Sequence, residues 1–160
     1  MAGCRSAGTM PSIHEYNNKL IGFQTQAVER VANYFSTLDQ QYDGENLIEH
    51  FIQLRDTLHK LETQVALQED RKRDSSLKAG VLAYIQGLQQ ALQEHEQPIV
   101  ELLSAYSGSA SELYRQDRQI FSQAMMHFAQ KIAQLDQQLE QVQTDFSHKY
   151  NYQIGSLSAS

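Results

Sequence analysis

Apolar residues recur at alternating intervals of three and four along most of this 160-residue chain, and only two prolines fall within it. That spacing lines up on one face of a helix that turns every 3.6 residues, and on no face of a strand. The first stripe is Ile13, Tyr16, Leu20, Phe23, Ala27, Val31, Tyr34 and Leu38. Ser12 and Glu15 stand ahead of it as an S-x-x-E capping box, just after Pro11. A helix of about 39 Å is expected from there, at 1.5 Å per residue.

The later segments follow the same rule, with breaks that can be placed by phase. Asp43-Gly44 marks a turn, and Leu47, Phe51, Leu54, Leu58, Leu61 and Val65 form a second stripe. Continuing that period lands on Gln68, Lys72 and Ser75, so the chain is expected to turn around Arg73 to Ser76, with Asp74 or Ser75 as the N-cap. A third stripe runs Leu77, Val81, Ile85, Leu88, Leu92, His95, Ile99, Leu102 and Tyr106. It stays in phase across Pro98, which predicts a kink rather than an end. Ser109 and Glu112 make a second capping box, and the fourth stripe is Leu113, Ile120, Ala124, Phe128, Ile132, Leu135, Leu139, Val142 and Phe146. One unbroken helix of about 60 Å is expected from Ser111 to Tyr150. Short connections favour antiparallel neighbours, so the predicted fold is all-α: an elongated up-down-up-down antiparallel four-helix bundle, the third helix kinked near Pro98 and the fourth longest. A single domain over 12–150 is expected between a disordered lead-in, 1–11, and a flexible tail, 151–160.

Composition narrows the function. A net charge of −6 argues against nucleic acid, which demands a basic stripe. The one basic run, Arg71-Lys72-Arg73, is nearly cancelled by Glu69, Asp70 and Asp74. Twenty-two glutamines, spread through the apolar pattern, read as helix surface. No apolar run is long enough for a transmembrane segment. The lone cysteine, Cys4, cannot form an internal disulfide, and a cytoplasmic or secreted-effector setting is expected; Ala2-Gly3-Cys4 admits, as a minor reading, a lipoprotein lacking its signal segment.

Catalysis within a helical bundle needs carboxylates and histidines on the inward stripes. No Glu-x-x-His occurs, and Asp56 with His59 and Asp145 with His148 are ordinary i,i+3 surface pairs. His59-Lys60-Leu61 departs from the His-x-x-Lys-Gly pattern of histidine phosphotransfer modules. No enzymatic activity, catalytic residue, metal or cofactor is therefore expected. His95 is the one histidine on a core stripe, and is the candidate ligand or pH-sensitive position. Tyr114, Phe121, Met125 and Ala129 widen the apolar face of the fourth helix, and the surplus points to a protein-interaction surface at Tyr114, Phe121, Met125 and Phe146. The partner is another protein or a second copy in a homo-oligomer. A lipid or membrane-surface-binding bundle and a small-ligand site near His95 and Pro98 are the alternatives.

Overall fold

The computed structural model describes residues 12–40, 44–105 and 110–151. Expectations for Cys4, the lead-in, Asp43, Ser109 and the tail from 152 onward lie outside the described residues, as do the side chains of Leu38 and Tyr114. Four helical runs make up the described residues: α1 (Ile13–Gln40); α2 (Gly44–Ala66); α3 (Ser76–Ala91), continued through a π turn (Leu92–Glu96) into α4 (Gln97–Ala105); and α5 (Ala110–Gln116) followed by α6 (Arg118–Tyr150). None of these helices is long and apolar enough to cross a membrane, among the described residues.

The capping box forms as its residues dictate: the Ser12 amide donates to Glu15 Oε2 at 2.8 Å and the Glu15 amide to Ser12 Oγ at 3.1 Å. Two orphan donors at the start of α1 are thereby satisfied. Tyr16, Leu20, Ala27, Val31 and Tyr34 then reach the core, and so does every residue of the α2 stripe. Cross-helix contacts fix the topology. Tyr16 meets Phe146 and Phe35 meets Phe128 between α1 and α6, while Gln86 and Gln89 of α3 donate to Glu62 of α2 at 2.8 and 2.9 Å. Early residues of α1 face late residues of α6, Tyr34 late in α1 faces Phe51 early in α2, and the bundle is antiparallel.

α3 is the central element, packed on α1, α2 and α6. Two glycines allow it to lie close to α6. A Cβ added at Gly87 would clash with Leu135 Cδ2, and one at Gly80 would stand 2.7 Å from Val142 Cγ1. Between them Tyr84 is buried, its hydroxyl donating to Asp136 Oδ1 at 2.7 Å. Desolvation, joined by this bond to an acid, holds the phenol well above its ordinary range.

The turn between α2 and α3 is longer than phase predicted, spanning residues 67–75. Lys72 and Arg73 adopt φ of 50° and 64°, a left-handed pair that costs of order 1 kcal/mol or more for each non-glycine residue. Asp74 offsets this. Its Oδ1 accepts the Ser76 amide at 2.9 Å, and its Oδ2 accepts Lys149 Nζ at 2.7 Å and the Tyr150 hydroxyl at 2.9 Å. Burial opposes the charge on Asp74, but these bonds outweigh it and hold the carboxyl well below the usual carboxylate range.

Two expectations require correction, and both corrections have the same form. The third stripe does not stay in phase across Pro98. The Gln97 amide bonds to the Leu92 carbonyl, five residues back, and this wide turn inserts one extra residue. Glu96 and Leu103 therefore occupy the core where His95 and Leu102 were expected; Leu102 is 37% exposed. Likewise the fourth helix is not continuous. Asp117, at φ −130° and ψ 43°, interrupts it, and the Ile120 amide restarts the run by bonding to the Asp117 carbonyl at 3.1 Å. Phe121 is consequently buried and Ile120 is 40% exposed, the reverse of the expected order. Proline explains the first slip, since it cannot donate to residue 94. A short polar side chain that competes with the helical backbone favours the second. The 33 residues of α6 make it about 50 Å long, so it exceeds its neighbours by less than an unbroken run would have.

The glycines give a test with opposite signs. Gly87→Ala is expected to lower stability by about 1–3 kcal/mol, because the buried Leu135 side chain must shift to admit the methyl group. Gly22→Ala in α1, where nothing lies within 4 Å, is expected to raise it by about 0.5–1 kcal/mol. Denaturant unfolding of the two variants measures both.

Candidate functional site

The π turn brings a carboxyl group into the apolar core. Glu96 is 1% exposed, level with Phe51 on α2 and Phe128 on α6, and its Oε2 accepts the Tyr34 hydroxyl from α1 at 3.2 Å. Glu96 Oε1 is buried without a hydrogen-bond partner. Tyr34 is itself packed edge-on against Phe35, with ring centroids 5.3 Å apart, and against Phe51 at 6.3 Å. Burial pushes the Glu96 carboxyl up to about 7, with the Tyr34 hydrogen bond pulling the other way. A carboxyl in such surroundings holds its proton up to near neutrality, and π turns recur at functional positions in helices.

The residue before it faces outward. His95 is partly exposed, and its ring lies 5.2 Å from that of His127 on α6. Its Nε2 is 4.0 Å from Glu94 Oε2, and the other oxygen of Glu94 accepts the Gln90 amide at 2.7 Å. Two open grooves flank this end of the bundle. One, of about 290 Å³ between α1 and α2, is lined by Arg30, Tyr34 and His50 among others. The second, of about 330 Å³ between α2 and α3, has Phe51 and Leu92 among its lining residues, with Arg55, His59 and several glutamines.

The expected surface residues separate. Phe121 is 4% exposed and Phe146 is 1% exposed, the latter between Tyr16 and Tyr150, so both serve the core of this chain. Met125 is 44% exposed, and His95 is at the surface rather than on the inward face. The surface Asp and His pairs stay apart: Asp56 bonds Arg55, His59 lies 3.7 Å from Glu62, and Asp145 accepts the Gln141 amide. No group of three or more potential ligand side chains is placed to hold a metal ion, among the described residues. Glu96 escaped sequence reasoning because an α-helical period was carried through a proline. The available signal was the doubled apolar pattern after it, Ile99-Val100 and Leu102-Leu103.

Comparison of the chain with models of protein families, with curated proteins and with solved structures finds no match.

The two buried carboxyls make stability respond to pH with opposite signs. Glu96 has a raised folded pKa, so its contribution is full below the unfolded value near 4.5 and is lost as pH rises to about 7. Asp74 has a depressed one, so its contribution is full above the unfolded value and fades as pH falls. Thermal melting across pH 3 to 8.5 is expected to show Glu96→Gln flattening the alkaline decline, which amounts to at most about 3 kcal/mol. Asp74→Asn should instead remove part of the acid-side loss.

Proposed function

We propose that this bundle is a non-enzymatic protein-interaction module whose working surface lies at the π-turn end, and whose simplest partner is a second copy of the chain. The observation that carries this reading is the distribution of exposed apolar side chains. Ile52, Leu102, Ile120, Met125 and Met126 are 37–51% exposed and belong to the segments around Phe51, Glu96 and Phe128. Leu67 is the remaining large apolar residue exposed among those described, and it lies at the opposite end, beside the Arg71–Asp74 turn. Apolar side chains gathered at one end of a polar, glutamine-rich bundle favour burial against another protein, and methionine adapts to irregular partner surfaces.

The phase slip at Asp117 supports the same reading. Beyond this break Phe121 lies in the core and Ile120 is left at the surface. Sedimentation velocity over a wide concentration range is the test. The chain is expected to dimerise, and the double variant Ile120→Glu, Met126→Glu is expected to sediment as a monomer of unchanged helicity. A chain that remains monomeric throughout overturns self-association, and a dimer indifferent to the double substitution overturns the assignment of this surface.

A further inference from the structure

The segment after the π turn carries two apolar faces where one would suffice. Ile99, Val100 and Leu103 are buried, and Leu102 is exposed. If the π turn closed to ordinary α geometry, every residue after it would move back by one position, about 100° around the helix. His95, Ile99 and Leu102 would then fill the places of Glu96, Val100 and Leu103. This second register is the one that the unbroken three-four period of the sequence describes, with Leu92, His95, Ile99 and Leu102 in line. Leucine replaces leucine, isoleucine replaces valine, and Pro98 takes the buried place of Ile99, so these places stay apolar in both registers. The chemical difference lies at one place, where an imidazole would exchange with a carboxyl.

We propose that Glu96 is a proton-operated latch that selects between these two registers of the segment from Leu92 to Ala105. Protonated, Glu96 remains in the core beside Tyr34 and the π turn persists. Ionised, it carries a charge into an apolar site with one hydrogen bond and an unpartnered oxygen, a condition relieved by rotation toward water. Pro98 opposes the α register, because its ring clashes with the carbonyl four residues back. It sets the resting state to the π register and leaves the carboxyl to overcome it.

The ionisable groups around the latch are few. Tyr34 from α1 is its hydrogen-bond partner; His50 on α2 lines the groove beside Tyr34; Arg55 and His59 line the groove that includes Leu92; and His127 of α6 lies against His95. α3 brings Tyr84, which is bonded to Asp136 and carries its proton throughout the range concerned. Among the described residues, the Glu96 carboxyl bonds to Tyr34 alone, and the exchange is assigned to the titration of Glu96.

Single-cysteine chains in a Cys4→Ser background test the proposal through thiol reaction rates, each divided by the rate for the unfolded chain at the same pH. At pH 5.5, Leu102→Cys is expected to react readily and Leu103→Cys slowly. At pH 8.5 the order is expected to reverse, each rate changing about tenfold. Adding Glu96→Gln should hold the acid pattern at both pH values, and adding Pro98→Ala should move the reversal to lower pH. The Leu102→Cys chain alters an exposed position, so its loss of reactivity at high pH stands as a test even if Leu103→Cys does not fold. A Leu102→Cys chain whose thiol remains reactive at pH 8.5 overturns the proposal. So does high reactivity of both positions at high pH, which is fraying of α4 rather than rotation, and so does a reversal that survives Glu96→Gln.

Discussion

The close approach of α3 to α6 is the constraint on which the rest of this bundle depends. With no side chain at Gly80 and Gly87, Val142 and Leu135 occupy space that any other residue would fill. α3 thereby becomes the central element, and the remaining helices arrange themselves around it. α1 reaches α6 through aromatic rings, Tyr16 with Phe146 at one end and Phe35 with Phe128 at the other. Small residues at one interface and large ones at the next are two answers to the same requirement, that four cylinders of unequal spacing leave no void.

Most of the architecture was legible because amphipathic periodicity is a local and redundant signal. All six apolar residues expected to line α2 do so, and the Ser12 and Glu15 capping box forms as written. What escaped was phase. A period can be read from spacing, but a one-residue insertion leaves the spacing almost intact on either side and changes which residue faces inward. His95 and Leu102 exchanged with Glu96 and Leu103, and Ile120 with Phe121, for this reason alone. Leu102-Leu103 and Ile120-Phe121 are apolar pairs and His95-Glu96 a polar one, so hydrophobicity could not arbitrate within any of them. The polar partners of the core were equally hidden, since Tyr34 and Glu96 are 62 positions apart and meet only through the register of α1 against the π turn.

These slips are confined to one end of the molecule. The opposite end is held by directed polar contacts, with Asp74 drawing on Ser76, Lys149 and Tyr150, and with the Tyr150 ring 5.7 Å from the Lys72 ammonium and 5.6 Å from that of Lys149. One end is thus specified by hydrogen-bond geometry, and the other by apolar packing that tolerates more than one register. Local stability in proteins is seldom uniform, and regions that change conformation belong to its lower range.

The Asp74 contacts also bear on how the molecule assembles. They join residues 75 and 76 positions apart, so the turn between the second and third helices acquires its final support from the last turn of the fourth. On a chain emerging from a ribosome, the first three helices can collapse while Lys72 and Arg73 still lack the interactions that offset their left-handed backbone. Closure of so long a loop carries an entropic cost that only the completed chain meets. The turn between the second and third helices is therefore finished late, once synthesis has proceeded through Tyr150.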